Sequence, residues 1–450
     1  MDQATTTNTT AMANRTAPQE MHISERSERC PLESFLKSKR LKTMGGKGHT
    51  NNNNRAKRIP ALDLNDIKIG SRIGKGSFTK VHALSSISKS ARKAMLERSQ
   101  KQDSDNNNGN GNNGNGNGNG NGNNNHQFVI KRLRVSASSA GETALHKAFH
   151  QLIGEANLLA QLDHPQIARL RAFISTKGGN TNAQNGFALI VDRWDCTLRE
   201  KIHHWTVRSD TPNDDATFVS ERLCYALELA EALEYLHHRR LIYRDLSPRN
   251  IGFKDGSVQL FDFGLCRQLP SKSKATGPDR TYHMTYAGTA RYLAPEVHRR
   301  TGYNRKADVY SWAMVCYEMM SLTEPYYGMS REEHFAEVCD EGFRPCMDDL
   351  PSCSELEDLL HQTWCDNISQ RLTMKKVCAA LEDIVSSIDP ETSTLVSGGD
   401  DDEYEYDDKH DSHSTFSTLS DYSWLTDDHD DDDDSMEIEM EIDYDGNWQH

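Results

Sequence analysis

The chain has 450 residues, of which 36% are hydrophobic, and a formal net charge of −15. It is long enough for two or three average domains but too polar to be packed core throughout, so part of it is expected to be disordered. The ten Cys form no C-x-x-C pair, and no apolar leader or long apolar run occurs. This points to a reduced, soluble, cytoplasmic protein with no membrane role and no zinc site.

Residues 1–61 read as a disordered basic arm rich in Thr, Asn, Lys and Arg. Within it KSKRLK (Lys37–Lys42) fits either a nuclear import signal or an ordinary solvated basic cluster. The last residues, 390–450, carry about 22 Asp and Glu against one Lys, which leaves a charge of about +6 for everything before them. The acidity therefore belongs to a disordered tail. Its end, SMEIEMEIDYDGNW, alternates apolar and acidic residues and suits edge-strand addition to a basic docking partner as well as mere solvation.

The segment IGKGSFTKV (Ile73–Val81) lies between the apolar stretches IKI and VHAL. Glycines at Gly74 and Gly76 let a backbone approach phosphate oxygens with no Cβ in the way. By itself the signal equally fits a plain hairpin turn. The strand FVIK (Phe128–Lys131) follows only after an insertion, 85–126, that includes an Asn/Gly tract. Such an insertion costs little, because loop-closure entropy grows only logarithmically with length. Within it, SARKAMLERSQK reads as one exposed, solvated helix. The residues Phe149, Leu152, Ile153, Ala156 and Leu159 then recur at helical spacing around Glu155, and DHPQIARLRAF reads as a turn into a strand.

Downstream come ALIVDRWDCTLREKI (Ala188–Ile202), a long helix, YRDLSPRN (Tyr243–Asn250), the strand and DFG of SVQLFDFGL, and AGTARYLAPEV (Ala287–Val297). In this order and spacing the motifs resemble the eukaryotic protein kinase family, Ser/Thr type, near its tyrosine-kinase-like branch. The resemblance covers 62–389. It implies an α+β, two-lobed fold, with a β-rich small lobe over 62–192 and a helical large lobe over 193–389.

It also implies ATP between the lobes, Mg²⁺ as the metal and protein hydroxyls as substrates, with no nucleic-acid partner. The phosphate cradle falls on Ile73, Gly74, Lys75, Gly76, Ser77, Phe78 and Val81, with Thr79 in place of the third glycine. Lys131 pairs with Glu155 at the phosphates. Val129 forms the roof of the adenine slot, Val191 its back, and backbone groups of Asp192 to Trp194 bind the base. Asp245 accepts the substrate proton, and the oxygens of Asn250 and Asp262 suit a hard cation. The shelf of GTARYLAPE sets Thr289 against the catalytic Asp. Glu296 pairs with Arg371, and Asp308 braces the catalytic loop.

Several positions depart from the family pattern. Tyr243 replaces His and is expected to stack in the column with Phe263, Leu159 and Leu170. Gly252 stands where an aliphatic residue forms the adenine floor, and Val129 replaces Ala on the roof, an exchange of larger above for smaller below. Ser247 replaces the phosphate-contacting Lys, so Arg249 is expected to supply that charge, leaving Ser247 to shape the loop or bond near Thr289. Arg244 offers a cation to phosphate on Thr281, Tyr282, Thr285 or Tyr286. The alternative to an active kinase is a pseudokinase scaffold that binds partners without phosphotransfer.

Overall fold

The computed structural model describes residues 59–76, 79–96, 127–133, 142–175, 187–207, 216–270 and 279–388. Residues 1–58, most of the Asn/Gly insertion, the acidic tail, and Ser77 and Phe78 of the cradle lie outside the described residues. Period-two patterning in FVIKRL shows how the small lobe is layered. Successive side chains of a strand point to opposite faces. In β4 (Phe128–Leu133), Phe128 and Ile130 join Leu62, Leu84 and Ile190 in one cluster. Val129 and Leu133 join Phe149, Leu152 and Val191 in the other. Lys131 shares this second face, which is why an ammonium group reaches the interior beside the cleft.

The sheet also contains β1 (Ala61–Leu62), β2 (Ile67–Lys75), β3 (Thr79–Ile87), β5 (Leu170–Ser175) and β6 (Phe187–Asp192), in the order β1-β5-β6-β4-β3-β2. β1 pairs with β5 in parallel, and the remaining neighbours are antiparallel. The sheet starts slightly before the expected boundary at Leu62: Ile59 is buried, and the Phe173 N–H donates to the Pro60 carbonyl.

A second difference concerns the insertion. β3 continues to Ile87, and a helix over 89–96, α1, follows it. This helix was expected to be solvated, but Ala91 and Met95, one turn apart, are buried in the cluster with Leu62 and Ile130. The apolar pair forms a narrow stripe that a polar sequence context conceals. The long helix α2 (Glu142–Leu159) covers the sheet's other face.

The chain leaves β6 through 193–195 into β7 (Cys196–Thr197), α3 (Leu198–Val207) and α4 (Ala216–His238). The strands β8 (Leu241–Ile242), β9 (Ile251–Lys254), β10 (Ser257–Leu260) and β11 (Arg267–Gln268) carry the catalytic loop and DFG segment on the large lobe's upper edge. Below them are α5 (Pro295–His298), α6 (Lys306–Ser321), α7 (Arg331–Glu333), α8 (Ser354–Thr363) and α9 (Met374–Ile388). Helix α6 is buried along its whole length, and its Trp312 indole N–H donates to the Ala226 carbonyl of α4 at 3.0 Å. Among the described residues no helix is long and apolar enough to cross a membrane.

Candidate active site

Between the lobes, the structure brings together Lys131 of β4, Glu155 of α2 and Asp262 of the DFG segment. Lys131 Nζ lies 3.0 and 2.8 Å from the two Glu155 carboxylate oxygens and 3.1 Å from Asp262 Oδ1. Burial works against the charge on Lys131, but the carboxylates of Asp262 and Glu155 outweigh it and raise the group above its ordinary value. Burial likewise works against the Asp262 carboxylate, and the ammonium beside it holds that carboxyl below its usual range. Both groups are thereby kept ionised.

Asp245 sits across the cleft. Its Oδ1 accepts from the Thr289 N–H at 2.9 Å and the Thr289 hydroxyl at 2.8 Å, and its Oδ2 accepts from the Asn250 amide at 2.8 Å. Burial raises the Asp245 carboxyl, with Asp262 adding to this, while the Thr289 and Asn250 bonds oppose it. The loop is braced from α6. Asp308 accepts from the backbone N–H groups of Tyr243 and Arg244, both at 2.9 Å, and lies 2.8 Å from His237 Nε2. Arg244 has a φ of 77°, a conformation that costs a non-glycine residue about 1–3 kcal/mol and persists only where the surroundings enforce it. Asp308 supplies that restraint.

Tyr243 and Phe263 are both buried, with rings 5.3 Å apart and edge-on, in the cluster that also holds Leu159 and Leu170. The Tyr243 hydroxyl donates to the Phe261 carbonyl. On the shelf, Arg371 meets Glu296 through two bonds of 2.7 and 3.0 Å, with both residues buried. Ser247 is also buried, and its hydroxyl has no hydrogen-bond partner. The expected bond near Thr289 does not form, and the Thr289 hydroxyl donates to Asp245. Arg249 is half-buried and lines a cleft with Ser247, Thr289, Arg291 and Tyr292.

Gly74 and Gly76 lie in the hairpin between β2 and β3, closed by a bond from the Gly76 N–H to the Thr79 carbonyl at 2.9 Å. Lys75 and Ile73 are exposed there, while Val81 is half-buried. Val129 and Val191 are buried below the sheet. Asp192 is buried as well, but its carboxylate is held by Arg171 at 2.8 Å and Lys254 at 3.0 Å. Its side chain is thereby taken up by ion pairs rather than open to the cleft.

Gly252 has a cause that sequence reasoning missed. A Cβ there would fall 2.4 Å from Trp194 Cγ and 2.5 Å from Cδ1. The Trp194 ring occupies that space and stacks on Phe261 with centroids 4.2 Å apart. The small residue is therefore offset by the indole across from it in the hinge rather than by Val129 above. The signal was present as a Trp in the hinge beside a Gly in β9, but the contact joins positions 58 apart in sequence. Gly252→Ala should cost about 1–3 kcal/mol through overpacking, and Trp194→Leu should recover much of that loss. Thermal melts of both single variants and the double variant test this, and equal losses with either residue at 194 would refute the contact.

In the activation segment, Thr281 and Thr285 are exposed, while Tyr282 and Tyr286 are half-buried. Arg244 Nη2 lies 3.3 Å from the Thr285 hydroxyl. Tyr282 forms a bridge with Tyr303, and the Tyr286 ring packs edge-on against His298.

Residues 102–381 match the family described as protein kinase domain. β1 to β3 precede the matched span and belong to the same sheet as β4 to β6 within it. Among curated proteins, the chain is 37% identical over 133 residues to serine/threonine-protein kinase sgk-1 of Caenorhabditis elegans, covering 29% of this chain and 27% of that protein. It is 29% identical over 199 residues to a RAC family serine/threonine-protein kinase homolog of Dictyostelium discoideum, covering 44% and 40%. It is 32% identical over 240 residues to serine/threonine-protein kinase VIK of Arabidopsis thaliana, covering 52% and 50%. The matches thus span between about a quarter and a half of these relatives' lengths. Protein kinase domains use ATP and a divalent cation. With the family match across more than half its length and the lysine, carboxylates and shelf gathered in one cleft, the chain belongs to the protein kinase family.

Proposed function

We propose that the chain is a Ser/Thr protein kinase that transfers the γ-phosphate of Mg-ATP to protein hydroxyls. The observation that carries this reading is the simultaneous placement of Lys131 between Glu155 and Asp262 and of Asp245 against Thr289 and Asn250. A decayed site usually lacks one of these partners.

The donor set fits a hard divalent cation. Asn250 spends its amide nitrogen on Asp245, which leaves its oxygen as a donor, and the Asp262 side chain is 44% exposed to the cleft. These two residues would hold Mg²⁺, which when bound neutralises charge on the phosphates. Lys131 binds phosphate oxygens and is itself positioned by Glu155. Asp245 orients the substrate hydroxyl and takes its proton as the bond to phosphorus forms, with the displaced phosphate leaving as ADP. The N–H groups of Arg193 and Asp195 are bonded to the Gln127 and Phe253 carbonyls, so the hinge amide assigned to the base is that of Trp194. Its indole provides the floor opposite Val129.

Arg249 supplies the charge that Ser247 lacks. Support comes from their shared cleft with Thr289 and from the inability of the buried Ser247 hydroxyl to neutralise phosphate. Arg249→Ala should lower kcat at least about tenfold, or 1.4 kcal/mol, and Ser247→Lys should restore much of it in the double variant. An unaltered rate in Arg249→Ala would sink this assignment. Ser247 and Arg249 together support a place near the tyrosine-kinase-like branch. Thr285, exposed beside Arg244, is the acceptor assigned to activating phosphorylation. A basic docking partner for the acidic tail and a cytoplasmic location, with KSKRLK as the candidate signal for nuclear entry, complete the reading.

The test is purified full chain with Mg-ATP and a basic protein rich in Ser and Thr. Labelled phosphate should appear on those hydroxyls. ATP binding without transfer, persisting after activation-loop phosphorylation, would instead identify a pseudokinase scaffold.

A further inference from the structure

Behind the substrate shelf, away from the catalytic carboxylates, three side chains converge that the phosphotransfer reading does not use. His298 ends α5, directly after the shelf. His334 and Cys339 lie on a π-helix, His334–Asp340, that continues α7. One ligand-capable atom from each residue lies within 4.8 Å of the others, and this is the one such group of His, Cys and carboxylate side chains found among the described residues. His334 is 1% exposed and Cys339 fully buried. We propose that His298, His334 and Cys339 form a structural binding site for a zinc ion.

The local backbone is what brings the pair on the π-helix together. Residues five apart in an α-helix lie about 140° apart around the axis, given 3.6 residues per turn. Here the Glu341 N–H reaches back to the Ala336 carbonyl, five residues earlier. This wider turn rotates His334 and Cys339 toward a common side. π-Helical turns are rare and concentrate at functional sites.

The two imidazoles are prepared for a cation in different ways. His334 Nε2 is buried with no hydrogen-bond partner, an arrangement that costs stability unless something accepts its lone pair or its proton. His298 Nε2 lies 2.9 Å from the Ala290 carbonyl. A carbonyl can only accept, so Nε2 carries the proton and the lone pair is on Nδ1. A backbone carbonyl on the far ring nitrogen is the usual support of a metal-binding histidine. On the Nδ1 side, the Tyr286 hydroxyl lies 3.5 Å away, a long contact that the ion would displace, with water completing the tetrahedron.

Two imidazole nitrogens and a sulfur are borderline-soft donors that suit zinc in tetrahedral geometry and exclude Mg²⁺ from the same place. On binding, the Cys339 thiol releases its proton to solvent and the sulfur forms the bond to zinc, while both histidines bind neutral. Four arginines bear on the cluster: Arg291 pairs with Glu324 at 3.1 Å, Arg299 pairs with Asp366 at 3.1 Å, Arg344 lies 3.9 Å from the same Asp366, and the charge of Arg331 beside His298 is the one that opposes a cation. The lack of a C-x-x-C pair argued against zinc in the sequence, but these ligands are joined by the fold rather than by spacing. The ion would clamp the shelf, through His298 and Ala290, to the segment behind it.

Full-length protein loaded with Zn²⁺ and then dialysed should retain about one equivalent, and zinc should raise its melting temperature. Loaded with Co²⁺ instead, it should show thiolate-to-cobalt charge-transfer absorption with intense tetrahedral ligand-field bands. Cys339→Ser should abolish the charge-transfer band and His334→Gln should weaken binding, whereas exchanging the exposed Cys346 for Ser should change neither. A charge-transfer band that survives in folded Cys339→Ser overturns the proposal. If either variant fails to fold, X-ray absorption on the zinc-loaded wild type decides. It should show one sulfur at about 2.3 Å with nitrogen at about 2.0–2.1 Å, and a shell without sulfur overturns the site.

Discussion

Asp245→Asn should lower kcat by about 10²–10⁴-fold while leaving the fold and nucleotide affinity nearly unchanged. The range is the usual contribution of a positioned general base and corresponds to roughly 2.7–5.4 kcal/mol of barrier. The substitution preserves shape and an oxygen to accept from Thr289. It replaces the other oxygen with an N–H donor facing the Asn250 amide, which costs on the order of 1 kcal/mol of stability. Loss of rate well beyond loss of stability is therefore the diagnostic result. The pH profile gives an independent reading. A base must be deprotonated, and burial raises Asp245 above its ordinary value. The rate should therefore fall as pH drops through a point above the normal aspartate range, and this acid limb should vanish in the variant. A variant that turns over like wild type would remove Asp245 from the chemistry.

Arg371→Ala should have the largest effect on stability, about 3–5 kcal/mol. Arg371 is 1% exposed, and besides Glu296 it bonds the Lys306 and Cys365 carbonyls. Its removal leaves a carboxylate that is itself 4% exposed without a counter-charge. In a domain of this size the melting temperature should drop by on the order of 10 °C. The double change Arg371→Met with Glu296→Met should be less damaging than the sum of the single changes, because it removes both charges together. Strict additivity would mean that the two side chains do not act as a pair.

The parts of the site that can be read in the sequence are those whose chemistry is local. YRDLSPRN sets Asp245 and Asn250 five apart in one loop, and they meet through the Asn250 amide. Alternation in FVIKRL puts Lys131 on the inward face, and helical spacing around Glu155 turns that carboxylate toward it. What escaped depends on side chains from distant elements sharing one volume. Trp194, in the hinge, fills the space beside Gly252 of β9, and no periodicity records that. The Ala91 and Met95 stripe of α1 makes sense only once Leu62 and Ile130 are seen beneath it. His334 and Cys339 face one another through a helical turn that a 3.6-residue repeat does not describe.

The indole in the hinge also has a pharmacological consequence. In this slot the lower wall is a flat aromatic plane anchored to the strip of chain that joins the lobes, rather than a branched side chain fixed to β9. A planar heterocycle can stack on it, whereas a compound shaped to straddle an aliphatic floor meets a wall it cannot indent. Because Trp194 leans on Phe261, immediately before Asp262, a ligand that pushes the indole aside also disturbs the start of the DFG segment. Compounds could then be sorted by chemotype into those that occupy the slot quietly and those that disturb the DFG segment.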